Sequence, residues 1–222
     1  MAVINASLSF IFIHVPKCGG TSVCKVLAPL CTITDIEIGG TSFGEEIQAA
    51  YRRRHHISKH STAMELRAIL GHERWIRYNS FAVVRDPMER LRSSYFFLRE
   101  WNAPQNYLAA TVNEFASFSS FLDSGLWERD AGPDQIFSPQ VRWLANAERT
   151  ILLVDQICHV ESLDTELPLL LSNLGVKSSL IPRSIPRLNT TNQSNPEEQV
   201  SSAQKDRIAA YYHRDYALLG YE

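Results

Sequence analysis

Three short apolar runs in the chain each precede a turn and a helical pattern. They are Ser7 to Val15, Ser80 to Val84 and Thr150 to Val154, all rich in β-branched or aromatic residues. Runs of this length and composition are typical of buried strands. Because these strands alternate with helices, the sequence predicts an α/β fold in which a central, mostly parallel sheet is flanked by helices.

The helical patterns have recognisable start and stop signals. Thr21 or Ser22 is the expected N-cap of the helix that follows the first run, and Asp86-Pro87 opens the helix after the second. The other predicted helices are Glu45 to Arg54, Thr62 to Leu70 between a cap at Ser61 and a stop at Gly71, Leu163 to Leu174 before Gly175, and 203 to 218.

Length and composition predict one domain over residues 1–222, because a chain of 222 residues buries a large core but is short for two α/β domains. Residues of about 100–149 are rich in aromatic residues and predict a mainly helical insertion. Residues of about 182–202 are rich in Pro, Ser, Asn and Thr and predict an exposed loop.

The overall charge of −2 excludes a general electrostatic field for nucleic acid, so any anion must be held by a local cluster. The four cysteines lack the spacing of zinc ligands and are expected to be thiols. No apolar run is long enough to span a bilayer or to form a signal peptide. We therefore expect a cytoplasmic protein without a transmembrane segment, for which peripheral membrane contact remains open.

The first strand leads into Pro16-Lys17-Cys18-Gly19-Gly20-Thr21-Ser22. Paired glycines allow backbone N–H groups to approach an anion, and the following helix adds the positive end of its dipole. Lys17 adds a charge, and the two hydroxyl groups are further donors. A nucleotide triphosphatase loop places its lysine after the glycines, so this segment predicts a different phosphate cradle. With the preceding strand it predicts a P-loop-like three-layer fold.

The second strand ends at Arg85, and Ser93 follows two helical turns later. Open α/β sheets bind ligands at the carboxyl ends of their strands, so both side chains are candidates to hold one phosphate. An arginine before Asp-Pro is also typical of a structural ion pair at a helix start.

Together these segments resemble the sulfotransferase family 2, which comprises membrane-type carbohydrate sulfotransferases and their bacterial relatives. Pro16 to Ser22 resembles the family's 5′-phosphosulfate loop, and Phe81 to Tyr95 resembles its 3′-phosphate motif. The resemblance also covers Lys59 to Ala63, Pro139-Gln140, Val160 to Leu163, Leu188 to Thr191 and Tyr212 to Tyr221.

The resemblance implies a single sulfotransferase domain that uses 3′-phosphoadenosine 5′-phosphosulfate (PAPS) and releases adenosine 3′,5′-bisphosphate (PAP). Lys17 would contact the bridging oxygen of the phosphosulfate, the loop from Gly19 to Ser22 would bind the 5′ group, and Arg85 with Ser93 would bind the 3′-phosphate. Asn189 and Thr190 would belong to a loop that covers the nucleotide. Cys18 stands where relatives often carry threonine.

The resemblance also implies a catalytic histidine before the second strand, and His60 is the expected general base. It precedes a predicted helix, whose N-terminus favours the neutral imidazole that can accept a proton. His55 and His56 remain alternatives, and a structural cap is the other reading of His60. His14 is expected to pack against the loop, and His159 has no partner visible in the sequence.

These observations predict a PAPS-dependent sulfotransferase that transfers a sulfuryl group to a hydroxyl of a carbohydrate or glycolipid acceptor by in-line displacement, without a metal and without nucleic acid. A P-loop-type kinase is one alternative, although neither a metal-binding acidic cluster nor a lysine after the glycines is present. A catalytically inactive protein that binds PAPS or PAP is the other.

Overall fold

A computed structural model describes residues 2–101, 103, 105–128, 135–188 and 200–221. The strands are β1 (Ala2–Asn5), β2 (Phe10–Ile13), β3 (Ile36–Ile38), β4 (Asn79–Val84) and β5 (Gln156–His159). The helices are α1 (Gly20–Leu27), α2 (Ser42–His55), α3 (Ala63–Leu70), α4 (His72–Trp75), α5 (Pro87–Glu100), α6 (Tyr107–Asn113), α7 (Phe118–Ser124), α8 (Val141–Leu144), α9 (Leu163–Asn173), α10 (Ser202–Tyr211) and α11 (His213–Leu219).

The chain forms two compact units, which are described separately. The sheet unit is built within Met1–Arg85 and Val141–Leu188, and the helical unit within Asp86–Gln140 and Asn189–Glu222. That the whole chain acts as one domain, with an insertion at about 100–149, stays a prediction.

In the sheet unit the strand order is β3-β1-β2-β4-β5. Strand β1 pairs antiparallel with both of its neighbours, whereas β2, β4 and β5 pair in parallel. The predicted mixed α/β fold with a mostly parallel sheet and flanking helices is therefore confirmed. The P-loop-like detail stays a prediction.

The core explains why these residues form strands. Phe10, Phe12, Phe81 and Val83 alternate along β2 and β4 and belong to a buried cluster that includes residues of α1 and α9. The intervening residues of both strands are buried as well. Burial on both faces is what a parallel sheet requires, and it accounts for the nearly continuous apolar runs in the sequence.

The first predicted strand is shorter than expected. Residues 6–9 form a turn, in which Asn5 accepts a hydrogen bond from the backbone N–H of Leu8 at 2.7 Å. This turn joins β1 to β2. The sequence patterns did not reveal β1, because it has only four residues.

The third strand was predicted at the wrong place. Thr150 to Val154 contains no strand, and Leu152 forms only an isolated bridge with Ala145. The side-chain oxygen of Asn146 accepts from the backbone N–H groups of Thr150 and Ile151 at 2.8 and 3.0 Å, which holds this stretch as a turn instead of a ladder. The strand that pairs with β4 is β5, a few residues later.

Most helices are confirmed, with differences at their ends. Thr62 caps α3 instead of Ser61, and it forms a reciprocal capping box with Glu65. Gly71 ends α3, and Asp86 caps α5, as predicted. The single helix predicted over 203–218 is divided at Tyr212 into α10 and α11.

The helical unit has an aromatic core of its own, in which Tyr95, Phe118, Phe121 and Trp127 are buried. This agrees with the predicted aromatic-rich helical character of the region. Residues 189–199 of the loop predicted at about 182–202 lie outside the described residues.

Arg90 is buried in this unit and donates to the carbonyl oxygens of Ile136 and Ser138 at 3.0 and 2.9 Å. Tyr212 donates to the carbonyl oxygen of Phe137 at 2.7 Å. Both side chains therefore satisfy backbone acceptors of one buried segment.

Candidate active site

The candidate loop lies at a point in the sheet where open α/β folds bind ligands. After β2 the chain continues to β3 on one side of the sheet, and after β4 it continues to β5 on the other. The carboxyl ends of β2 and β4 therefore flank a topological switch point. The loop follows β2, and Arg85 follows β4.

The loop backbone bends through two left-handed residues, Lys17 at φ 66° and Gly19 at φ 67°. A left-handed conformation is uncommon for a lysine, and such conformations concentrate at functional sites. The thiol of Cys18, which is buried, donates to the carbonyl oxygen of Pro16 at 3.6 Å and so stabilises the bend.

Gly19, rather than Thr21 or Ser22, is the N-cap of α1, so the predicted hydroxyl cap is wrong. The carbonyl oxygen of Gly19 accepts from the N–H groups of Ser22 and Val23 at 2.9 and 3.1 Å. The helix begins directly at Gly20 because the left-handed glycine turns the chain into it without a side-chain cap. The positive end of the α1 dipole consequently lies at the loop.

Gly20 is required for steric reasons. A Cβ atom at this position would overlap the imidazole ring of His14. The ring of His14 thus packs directly on the first residue of α1, which confirms the expectation that His14 touches the loop.

Ser22 is buried, and its hydroxyl oxygen accepts from the backbone N–H of Leu188 at 3.1 Å. A hydroxyl that accepts one hydrogen bond can still donate another. Ser22 therefore joins α1 to the segment that leads to Asn189 and Thr190, two predicted site residues that lie outside the described residues.

His60, which precedes α3, contacts His14, the residue that leads into the loop. Its Nδ1 lies 3.1 Å from the carbonyl oxygen of His14. The centroids of the two rings are 4.6 Å apart, with 35° between the ring planes. Because a carbonyl oxygen can only accept, Nδ1 of His60 carries the proton and donates it. In the neutral ring, Nε2 then has an unprotonated lone pair.

The segment that carries His60 is anchored to α2. The backbone N–H of Lys59 donates to the side-chain oxygen of Gln48 at 3.2 Å, and its ammonium group lies 3.4 Å from a carboxylate oxygen of Glu45. Ser61 is buried and accepts from the N–H of Ser58 at 2.9 Å. These bonds fix the backbone on both sides of His60.

The pKa of His14 is well below its ordinary value of 6.5. Burial is the largest cause, because it disfavours the charged ring. Lys59 and Lys17, and His60 when it is protonated, lower the pKa of His14 further. His14 is therefore a neutral ring in a positively charged setting.

The other predicted site residues are placed as follows. Arg85 is partly exposed and is the last residue of the first segment of the sheet unit. Ser93 is buried on α5 in the helical unit. That these two side chains hold one phosphate stays a prediction.

The structure separates His60 from the other candidate histidines. His55 and His56 are exposed at the end of α2. His159, which seemed to have no partner, has Nδ1 at 3.2 Å from a carboxylate oxygen of Glu166. Sequence reasoning missed this pair, although the spacing from the strand end to the first turns of the next helix was a possible signal.

Among the residues that the structure describes, no three His, Cys, Asp or Glu side chains are grouped so that they could hold a metal ion. All four cysteines are free thiols, as expected. Within the same part of the chain, no helix has both the length and the apolar character needed to cross a bilayer.

A glycine loop at the start of a helix, a lysine in a left-handed conformation and a nearby histidine are features expected of an anion-binding site in a group-transfer enzyme. The family model of the sulfotransferase family matches residues 1–222, the whole chain. The chain belongs to the sulfotransferase family and is a transferase that moves a sulfuryl group. Members of this family generally use PAPS. Comparisons with curated proteins and with solved structures gave no match.

Proposed function

We propose that the protein transfers the sulfuryl group of PAPS to a hydroxyl of a carbohydrate or glycolipid acceptor, with His60 as the general base. The observation that carries this proposal is the hydrogen bond from His60 Nδ1 to the carbonyl oxygen of His14. It assigns the tautomer of His60, since only Nδ1 can donate there. In the neutral ring Nε2 is then the unprotonated nitrogen, which is the atom proposed to take up the proton of an attacking hydroxyl.

The loop residues fit a phosphate ester. Lys17 contributes a positive charge, and Gly19 and Gly20 bring the backbone to the N-terminus of an eight-residue helix. A Cβ atom at Gly20 would overlap the His14 ring, so the first residue of α1 packs directly against that ring. These features support binding of the 5′-phosphosulfate by Pro16 to Ser22.

Once bound, PAPS supplies an activated sulfuryl group whose leaving group is PAP. Lys17 is proposed to hold the phosphosulfate and to stabilise the negative charge that grows on the leaving oxygen. His60 is proposed to remove the proton from the acceptor. The roles of Arg85 and Ser93 at the 3′-phosphate, and of Asn189 and Thr190 in the covering loop, are supported by the resemblance of their sequence motifs alone.

The donor assignment can be tested by isothermal calorimetry with PAP in EDTA. We expect PAP to bind the full chain without magnesium. Lys17→Ala should weaken binding about tenfold, equivalent to about 1.4 kcal/mol, because it removes a charge-assisted contact. Lys25→Ala is the matched control, since Lys25 is exposed on the last turn of α1. If the wild-type chain does not bind PAP, the donor proposal is wrong.

The base assignment needs a separate measurement. His60→Ala should bind PAP like the wild type but lose transfer of ³⁵S from labelled PAPS to a hydroxyl acceptor. A His60→Ala variant with full transfer activity would show that another group removes the proton. His55→Ala is the control, because His55 is exposed and should be dispensable.

The acceptor class can be tested by mass spectrometry of glycans and lipids from cells with and without the gene. We expect sulfated glycans or glycolipids to be lost when the gene is deleted. Loss of a sulfated protein or small molecule instead would replace the proposed acceptor and leave the donor assignment intact.

A further inference from the structure

We infer that His14 is a positioning residue that couples the glycine loop to His60, so that an anion bound at the loop changes the state of the His60 ring. This inference rests on the proposed function, because it concerns the same site. It assigns a role to a side chain that the proposed chemistry does not use.

On one side, His14 contacts His60 in two independent ways. Its carbonyl oxygen accepts from His60 Nδ1 at 3.1 Å, and its ring lies 4.6 Å from the His60 ring, centroid to centroid. The hydrogen bond selects the tautomer, and the ring contact restricts rotation of the His60 imidazole about its side-chain torsions. One residue therefore controls both the proton position and the orientation of the proposed base.

The ring of His14 also packs against the loop. Its ring occupies the space where Gly20 would carry a Cβ atom. Behind it lies the buried ring of Phe12 on β2, with ring centroids 6.1 Å apart and 25° between the planes. The His14 ring is thus confined between the sheet core, the first residue of α1 and His60, and a shift of the loop backbone must be transmitted to it.

The charges around His14 and His60 also support a coupling between the loop and His60. His14 is neutral, so it separates His60 from the loop without adding positive charge. Among the described residues, Lys17 on the loop and Lys59 beside His60 are charged groups that act on His14, and Lys59 is paired with Glu45 at 3.4 Å. An anion bound at the loop opposes these positive charges and favours proton uptake by His60.

Nitrogen NMR of the full chain labelled with ¹⁵N-histidine tests the inference. In the wild type we expect His60 as the Nδ1–H tautomer, and PAP should raise the pKa of His60. In His14→Ala the backbone carbonyl remains, so the Nδ1–H tautomer should be kept, but loss of the ring contact should reduce the PAP-induced rise by more than half. His14→Phe should restore most of that rise, because it keeps a ring next to His60.

His72→Ala is the control, since His72 is exposed at the start of α4 and should leave both readouts unchanged. If His14→Ala unfolds the sheet unit, His14→Leu is the second variant. Its side chain fills the space but has no ring, so it should show the same reduced PAP-induced rise in the pKa of His60. Retention of the full PAP-induced rise in the substituted protein overturns the inference. The mobility of the His60 ring is measured by ¹⁵N relaxation without a ligand, so failure of PAP to bind contradicts the donor assignment, and the positioning role is then judged by whether His14→Ala makes this ring more mobile than in the wild type.

Discussion

The imidazole of His60 donates from Nδ1 to the carbonyl oxygen of His14 at 3.1 Å, across 46 residues of sequence. The bond joins the residue after β2 to a residue two positions before Thr62, the N-cap of α3. It is the feature that distinguishes His60 from the nearby exposed histidines, because it fixes which ring nitrogen is unprotonated in the neutral ring.

Gly20→Ala should destabilise the sheet unit by about 1–3 kcal/mol, because the added methyl group overpacks the site occupied by the His14 ring. His14→Ala in the same chain should recover much of this loss by opening space. Urea denaturation of the two single variants and the double variant measures the coupling. Strictly additive effects would contradict the packing of His14 on Gly20.

Stability should decrease as the pH falls below about 6.5, the ordinary pKa of histidine. The folded state holds the pKa of His14 well below that value, so in this range the unfolded chain binds more protons than the folded chain. Protonation then favours unfolding, by up to about 1.4 kcal/mol per pH unit for one group.

This contribution can be isolated by comparing the urea unfolding free energies of wild type and His14→Phe between pH 7.5 and 5 (about one and a half units below the ordinary pKa). The variant should show the shallower decrease, since phenylalanine does not titrate. Equal slopes for the two proteins would mean that His14 does not hold a depressed pKa.

Arg90→Leu should destabilise the helical unit by about 3 kcal/mol, because the buried carbonyl oxygens of Ser138 and Ile136 lose the guanidinium donors and Ile136 keeps only the longer bond from Ser94 at 3.4 Å. Arg54→Leu, at an exposed position on α2, is the matched control and should change stability by less than about 0.5 kcal/mol. Chemical denaturation monitored by tryptophan fluorescence compares them. A small effect of Arg90→Leu would show that water replaces the guanidinium group.

Cys31 and Cys158 should resist alkylation by iodoacetamide at neutral pH. Burial raises the pKa of both thiols to about 12, and Glu37 and Asp35 add to the effect at Cys31. The reactive thiolate is therefore scarce. Peptide mass spectrometry should detect both modifications only after denaturation. Rapid labelling of the native protein at either site would contradict these pKa values.

The sequence could predict features that depend on local chemistry. The apolar runs around Phe12 and Phe81 indicated buried strands, and Asp86-Pro87 indicated the start of α5. The third strand was misplaced because Asn146 binds the backbone of Thr150, an interaction that apolar patterning does not record. Short strands such as β1 have too few residues to give a pattern.

The candidate site was predictable in its parts. The glycines, Lys17 and the order of the two motifs predicted an anion-binding loop from the sequence alone, and the structure has a loop with this sequence between β2 and α1. The hydrogen bond between His60 and His14 was not predictable, because it joins residues whose proximity depends on how α2 and α3 return the chain to the sheet. The pair formed by His159 and Glu166 was missed for a related reason, since it depends on the true position of β5.

By itself, the sequence determined that the chain alternates strands and helices and that a glycine-rich loop lies between an apolar strand and a helix, because glycine geometry, burial and helix signals are local properties. Only the tertiary structure decided that Gly19 caps α1, that Gly20 must leave room for His14, and that His14 directs the proton of His60. These relationships depend on distances between separate segments, which are set by packing of the whole sheet unit and have no signature in the order of the residues.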